Sequence, residues 1–187
     1  MNKNNIKNEI AKYLDQYYSS ITAGKKQSEL FNKIILELKK IKKNNKIHVF
    51  GNGGSASVAS HFSMDLTNNT NIKCFNYNDS SIITCFSNDY KFENWIKKVI
   101  EKYGNRDDIA IFISSSGKSK NMINAVKAAR KKRFKKIITL TGFSEKNNLR
   151  KIGDLNLWIN SKNYNVIEST HHLWLLMIVD LMKKKLR

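Results

Sequence analysis

The chain predicts an α/β fold, a three-layer αβα sandwich around a five-stranded parallel sheet, with additional helices at its N-terminus. Two observations carry this prediction. Short apolar runs that suit buried strands alternate with segments whose apolar residues recur every three or four positions, which is the period of a helix. Strands separated by helices pair in parallel and have both sheet faces covered. A length of 187 residues suits one domain with a sizeable core.

The same patterns place each element along the chain. Ile6, Ile10 and Leu14 begin the apolar stripe of the first helix. We expect a single domain, 1–187, in which 1–45 are N-terminal helices that pack in an oligomer and 46–187 form the sandwich and the last helix. Helices are predicted at 6–23, 27–43, 56–67, 79–86, 92–103, 119–131, 145–150 and 166–184, and strands at 46–50, 72–77, 109–113, 136–141 and 155–159. The last helix is apolar almost all round, which predicts burial between subunits.

A glycine-rich turn follows the first predicted strand. The run VFGNGGS at 49–55 passes from strand residues through three glycines, and a helix begins directly afterwards. Such a turn leaves the first N–H groups of the helix without partners and its positive dipole end exposed, which suits a phosphate. Asn52 and Ser55 add side-chain hydrogen bonds. Glycine turns also occur where nothing binds, so this turn alone leaves both interpretations open.

A serine-rich turn repeats the arrangement after another buried strand. The apolar run 109–113 ends in SSSGKS at 114–119, and a helix follows. By itself this turn could merely cap that helix. Two such turns, each at the carboxyl end of a parallel strand, match the place where open α/β sheets bind ligands. Together they predict a site for a phosphorylated small molecule.

The formal charge of +19 does not make nucleic acid the expected partner. Only five of the 34 basic residues are arginine, whose planar fork dominates specific nucleic-acid contacts. The others are lysines in runs at helix ends and in loops. We interpret most of them as solvated surface with a general attraction for anionic substrates.

The composition also predicts a cytoplasmic protein. No early segment has the profile of a signal peptide, and no apolar run approaches the ~18 residues of a membrane span. Cys74 and Cys85 are the two cysteines, and we interpret them as reduced thiols.

Two pairs of histidine and carboxylate supply candidates for chemistry. His61 and Asp65 lie four residues apart on the helix after the glycine turn, so they share a helix face. Glu168 and His172 repeat this spacing on the last helix. Two such pairs could chelate a divalent metal such as zinc. The alternative is that each is an ordinary pair on a helix surface.

Four segments together resemble the sugar isomerase (SIS) fold, which is flavodoxin-like. They are GNGGSASVASHFSMDL (51–66), ISSSGKSKNMINAVKAAR (113–130), ITLTGF (138–143) and NYNVIESTHH (163–172). Within that fold they look like the phosphoheptose isomerases. The resemblance implies an isomerase that converts D-sedoheptulose 7-phosphate to D-glycero-D-manno-heptose 7-phosphate for bacterial lipopolysaccharide or capsule. It also implies a homotetramer with active sites between subunits.

The resemblance assigns the substrate contacts to both turns and to the last helix. Asn88 and Asp89 match a family pair that reaches the sugar, although on sequence alone they predict a turn or helix cap. Lys118 stands where the family has a small or amide residue, and we expect it to point to water. The residues that match substrate-binding positions are Asn52, Gly53, Gly54, Ser55, Asn88, Asp89, Ser114, Ser115, Ser116, Ser119 and Glu168.

The catalytic positions include one departure from the family. Its zinc ligands are a His and a Glu on one helix, which fall on His61 and Asp65, and a Gln and a second His on the last helix, which fall on Glu168 and Leu176. Leu176 can neither bind metal nor move a proton. His172, one turn earlier on the same face, is the candidate to replace it. The resemblance thus implies four catalytic residues that would also be the zinc ligands: His61, Asp65, Glu168 and His172.

Three functions remain open at this stage. In the first, Glu168 or Asp65 moves the proton beside the carbonyl, and His61 holds a metal or polarises that carbonyl. In the second, the chain is a non-catalytic SIS-domain regulator that binds a phosphosugar and acts through a protein partner, since non-catalytic relatives lose the same histidine. In the third, the lysine surface binds anions. The retained carboxylates favour the isomerase. His171, next to His172, is predicted to point about 100° away from it.

Overall fold

The computed structural model describes residues 3–22 and 24–184 and confirms the predicted architecture. Its strands are β1 (Ile47–Gly51), β2 (Cys74–Asn76), β3 (Ile109–Ser114), β4 (Lys136–Thr141) and β5 (Leu155–Trp158). They form one parallel sheet in the order β2-β1-β3-β4-β5. Positions 1, 2, 23 and 185–187, which the predicted domain includes, lie outside the described residues.

The helices lie close to their predicted positions. They are α1 (Lys3–Ile21), α2 (Lys25–Lys39), α3 (Gly54–Asn69), α4 (Ser80–Tyr90), α5 (Trp95–Tyr103), α6 (Lys120–Lys131), α7 (Asn148–Ile152) and α8 (Tyr164–Lys184). The predicted bounds of five helices were wrong by three or more residues: α1 begins earlier, α2 ends earlier, α4 ends later, and α5 and α7 begin later. A 3-10 turn precedes α5, because Lys91 has a φ of 69° and interrupts the chain between α4 and that turn. Helix α7 begins later than predicted, because the Asn147 side chain caps it by accepting from the Arg150 N–H.

Both faces of the sheet are covered, as the continuous apolar strands require. Successive residues of β1 point to opposite faces, so Val49 packs with α2, α3 and α8 while Phe50 packs with α5 and α6. Trp174 of α8 lies in the first core and Trp95 of α5 in the second, and each is 1% exposed. The central strands therefore hold the turns at their carboxyl ends rigidly in place.

The outer helices leave apolar residues exposed. On α1, which packs against α8, Ile10 is 56% and Leu14 60% exposed. The last helix, predicted to be buried between subunits, buries one side within one chain and leaves Leu173 and Leu181 exposed, so its burial between subunits stays a prediction. Within the stretches 3–22 and 24–184, no helix has the length and apolar character needed to cross a membrane.

Candidate active site

The glycine turn and the serine turn lie side by side because β1 and β3 are neighbours in the sheet. Gly51 at the end of β1 pairs in register with Ile113 near the end of β3. The sheet continues from β1 to β2 on one side and from β3 to β4 on the other, so the pair forms its switch point. Two amides join the turns: Asn52 Nδ2 donates to Asn121 Oδ1 at 3.1 Å, and Asn121 Nδ2 donates to Asn52 Oδ1 at 2.9 Å. The structure thus brings the two predicted turns together.

Each turn presents the N-terminus of a helix to this edge of the sheet. Gly53 precedes α3 and Ser119 precedes α6, and neither residue makes a side-chain capping hydrogen bond. Neither first turn contains an acidic residue. Gly53 has a φ of 54°, a backbone conformation that glycine adopts without steric cost. Two positive dipole ends therefore converge where N–H groups lack partners, which suits a dianionic phosphate.

Contacts with Asn147 and Leu149, at the start of α7, fix the conformation of the serine turn. Gly117 has a φ of 63°, and its carbonyl accepts from the Leu149 N–H at 3.0 Å. A Cβ at this position would lie 2.8 Å from Asn147 Cβ, so only glycine fits. The Ser114 and Ser119 hydroxyls lie 3.2 Å apart across the mouth of the turn. Their spacing leaves both able to turn towards a bound oxyanion.

The remaining serine-turn residues differ in exposure. Ser115 Oγ is buried and has no hydrogen-bond partner among the described residues. Ser116 Oγ accepts from the Lys118 N–H at 3.3 Å and so tightens the turn. The side chain of Lys118 is exposed, as expected. The hydrogen-bonding groups of this turn are therefore serine hydroxyls and backbone N–H groups.

Helix α8 carries the Glu168 carboxylate onto the glycine turn. Glu168 Oε1 accepts from the Ser55 hydroxyl at 3.3 Å. The carboxylate also lies directly against Gly54, where an added Cβ would be 2.8 Å from Glu168 Cδ. The absence of a side chain at Gly54 is what lets this half-buried group approach the start of α3. A carboxylate beside a phosphate cradle is positioned to exchange a proton with the bound molecule.

His61 bridges His172 and Asp65. The distance from His172 Nε2 to His61 Nδ1 is 2.7 Å, and that from His61 Nε2 to Asp65 Oδ2 is 3.5 Å. Since a hydrogen bond needs one donor, only one of the two facing nitrogens carries the hydrogen. Burial, and then the neighbouring His61, lower the pKa of His172. This histidine is therefore neutral at pH 7.

The four predicted zinc ligands are not brought to one point within the described chain. There, no group of three or more His, Cys, Asp or Glu side chains could hold a metal ion. Both ring nitrogens of His61 face other side chains, and Glu168 is turned towards Ser55. Leu176 is half-buried and supplies no ligand atom. The residues of one chain therefore do not fit a four-ligand zinc site, and zinc binding stays a prediction.

Asn88 and Asp89 lie in the last turn of α4, not in a turn between elements. Asn88 Nδ2 donates to Asp89 Oδ1 at 3.1 Å, and Asp89 Oδ2 lies 3.9 Å from Cys85 Sγ. All three residues are exposed. Within the part of the chain that the structure describes, these side chains bond to one another and not to either turn. Their contact with a sugar stays a prediction.

Four buried polar residues near the sheet were not singled out from the sequence. Asn121 and Asn147 are 2% and 3% exposed and support the serine turn. A signal existed for Asn121, which opens the helix directly after that turn. His48 and Asp108 form a fully buried pair, 2.9 Å apart. His171 points away from His172, as predicted, and into the core, where its Nε2 lies 3.3 Å from the Thr141 carbonyl oxygen and burial lowers its pKa to about 3.

A doubly covered parallel sheet whose switch-point turns converge on one anion site defines the class: an α/β protein built to bind a phosphorylated small molecule. The model of the SIS domain matches residues 12–142 of this chain. Phosphoheptose isomerase of Helicobacter pylori (strain P12) is 30% identical over 164 residues, 84% of each chain. The Buchnera aphidicola subsp. Acyrthosiphon pisum (strain Tuc7) phosphoheptose isomerase is 32% identical over 167 residues, 86% of each chain.

A solved structure agrees with these relatives. Phosphoheptose isomerase from Neisseria gonorrhoeae superposes with a TM-score of 0.84 at 26% identity, over 96% of this chain and 99% of that one. The chain therefore belongs to the phosphoheptose isomerase family of SIS-domain proteins.

Proposed function

We propose that the protein is a phosphoheptose isomerase that converts D-sedoheptulose 7-phosphate to D-glycero-D-manno-heptose 7-phosphate, supplying heptose for a bacterial lipopolysaccharide or capsule. One observation carries the proposal: two uncapped helix N-termini, joined by Asn52 and Asn121, converge beside the carboxylate of Glu168. The reaction needs a site for the phosphate dianion and a base that can reach the carbon beside the carbonyl, and this arrangement supplies both kinds of group. The relatives named above support the same activity.

The serine turn holds the phosphate in this proposal. Its open N–H groups at the start of α6 and the hydroxyls of Ser114 and Ser119 point at one place, and fixed donors of this kind hold an oxyanion without reorganising. Ser115, Ser116 and the glycine turn at Gly53 complete the cradle. The Asn52–Asn121 amide pair keeps both turns at a fixed separation.

Glu168 moves the proton. Its carboxylate takes the proton from C1 of the ketose, the electron pair forms the C1–C2 double bond of an enediol, and the carbonyl oxygen at C2 gains a proton. Return of the carbon-bound proton to C2 and loss of the hydroxyl proton at C1 leave the aldehyde there, so the proton count is conserved. Asp65 is the less suitable base because it is engaged with His61.

The histidine pair stabilises the developing charge on the oxygens. His172 is neutral at neutral pH because burial and His61 lower its pKa. In this proposal His61 Nδ1–H donates to His172 Nε2, which leaves the hydrogen of the neutral His172 on Nδ1 for donation to a substrate oxygen. Asp65 lies beside the other ring nitrogen of His61, with 3.5 Å between Asp65 Oδ2 and His61 Nε2. These roles use the chain's own residues.

We propose that the molecule is a homotetramer in the cytoplasm. Supporting this, exposed apolar residues collect on the outer helices, among them Ile10 and Leu14 on α1 and Leu173 on α8. Monomeric proteins expose such contiguous patches only rarely. Cys74 and Cys85 are free thiols, which a reducing compartment preserves. Light scattering on the purified protein should give four times the 21.7 kDa chain mass.

The test is to incubate the purified protein with sedoheptulose 7-phosphate, with added zinc and with a chelator, and to follow the aldose by NMR. Turnover is expected, and Glu168→Gln should lower kcat by about 10³-fold. Glu29→Gln, an exposed glutamate on α2, is the matched control and should not change it. No turnover under any condition, with ligand binding intact, would instead favour the non-catalytic regulator, for which Leu176 is the supporting observation.

A further inference from the structure

Four lysines line a groove at the opposite edge of the sheet from the two turns. The groove has a volume of about 680 Å³ and lies where β1 and β2 begin and where α2, α3 and α8 end. Its lysines are Lys39, Lys42, Lys43 and Lys73, and its apolar floor includes Ile72 and Met182. Pockets of this size typically enclose a small molecule rather than a single ion.

The groove carries an excess of positive charge. Lys42 lies 3.9 Å from the Asp107 carboxylate. For the other three lysines, no carboxylate of the described residues lies within 4.0 Å. The carboxyl ends of three helices also face this edge, and each contributes about half a negative charge. Set against the four ammonium groups, the Asp107 carboxylate and the three helix ends together leave an excess of about +1.5. That excess attracts a multiply charged anion more than a singly charged one.

The chemistry of the residues that line the groove indicates which class of ligand it would bind. Lysine ammonium groups bind phosphate oxygens as compact charges and can follow a chain of phosphates. The floor at Ile41 and Ile72, which are both half-buried, offers apolar surface beside them. We propose that this groove binds a compact polyphosphate, either free or as the phosphate chain of a nucleotide.

This site is separate from the one that holds the sugar phosphate. Strand β1 runs from Ile47 at the groove edge to Gly51 at the turn edge, which is about 13 Å of strand. No residue of the groove belongs to either turn. Binding at the groove should therefore neither need nor compete with substrate, and the proposal does not rest on the proposed isomerase activity.

The test is calorimetric titration of the full chain with inorganic triphosphate and, separately, with ATP, at 150 mM salt. We expect one site per chain, unchanged by saturating sedoheptulose 7-phosphate. The triple variant Lys42→Gln, Lys43→Gln, Lys73→Gln should weaken binding at least about tenfold, because it removes three of the four charges. The matched control Lys127→Gln, Lys131→Gln, Lys151→Gln removes the same charge from exposed lysines elsewhere and should bind within about twofold of the parent.

Each result decides the proposal. Equal weakening in both triple variants, several ions per chain, or displacement by sedoheptulose 7-phosphate would overturn it. Tighter binding of a duplex DNA oligonucleotide than of triphosphate, lost equally in both variants, would also overturn it, since that is general polyelectrolyte attraction. Tighter ATP than triphosphate binding supports a nucleotide on the apolar floor, and equal binding supports free polyphosphate. Circular dichroism and the Tm of each variant separate lost binding from lost folding.

Discussion

Replacing Gly54 by alanine should abolish most of the activity while leaving the fold intact. Gly54 opens α3, and its Cα faces the Glu168 carboxylate. An added Cβ would lie 2.8 Å from Glu168 Cδ and nearer still to Oε2, whereas real Cβ contacts shorter than 3.0 Å essentially never occur. The carboxylate is the far end of a flexible side chain, so it can rotate away. The base would then leave its position by about 1 Å or more.

The magnitudes follow from that geometry. A displacement of about 1 Å at a reacting group costs about 10²-fold in kcat. Stability should change by less than about 1 kcal/mol, because alanine is the better helix former and offsets the loss of the Ser55 hydrogen bond. Gly51→Ala is the contrasting change. Its Cβ would lie 2.6 Å from the backbone nitrogen of Ala56, which cannot rotate away. The free energy of unfolding should therefore fall by about 3 kcal/mol.

The assay measures kcat, KM and Tm for three glycine variants. Gly24→Ala is the control, since no atom lies within 4 Å of its added Cβ, and both kcat and Tm should match the parent. If Gly54→Ala keeps kcat within about threefold of the parent, Glu168 is not the base and the proposed mechanism fails. If its Tm falls as far as that of Gly51→Ala, the argument that the side chain can yield is wrong.

Three further predictions concern the amide pair and the buried ionisable groups. Asn121→Leu removes both hydrogen bonds to Asn52, so KM should rise by about tenfold and the free energy of unfolding should fall by about 2 kcal/mol. An unchanged KM would show that the two turns keep their spacing without this amide pair. Asp108→Asn should cost about 3 kcal/mol in chemical denaturation, because the carboxylate accepts from His48 and from the Lys46 and Asn105 N–H groups, while KM stays at the parent value. Burial lowers the pKa of His171 from 6.5 to about 3, so between these values the unfolded chain binds more protons and unfolding free energy falls with decreasing pH by about 1.4 kcal/mol per pH unit. His171→Leu should flatten that slope by about one proton, and equal slopes in both proteins would contradict the assignment.

The strands and their turns are predictable because the signals are local. An apolar run such as 109–113 can only be satisfied by burial on both faces, and the residues that end it, serines and glycine, end a strand whatever surrounds them. The helical stripe of α2 is equally local. The break after α4 at Lys91 could not be predicted from local sequence. The surrounding packing stabilises the positive φ of this lysine, and no sequence pattern indicates it.

In the candidate site too, some contacts could be predicted from local sequence and others could not. Spacing correctly placed His61 and Asp65 on one face of α3, since four residues make about one helical turn. It could not show that Glu168 and His172, also four apart, go to different partners, Ser55 and His61. That outcome depends on where α8 lies against α3, which is a property of the packed core.

The amino-acid sequence by itself determined the αβα class, the glycine and serine turns at the ends of β1 and β3, and the family, because each depends on residues close together in the chain or on their order. The tertiary structure alone decided that Asn52 meets Asn121, that Glu168 rests on Gly54, and that the four predicted metal ligands do not form one metal site among the described residues. The physical reason is that these contacts join residues about 70 to 110 positions apart, and only the close packing of helices on the sheet fixes such distances.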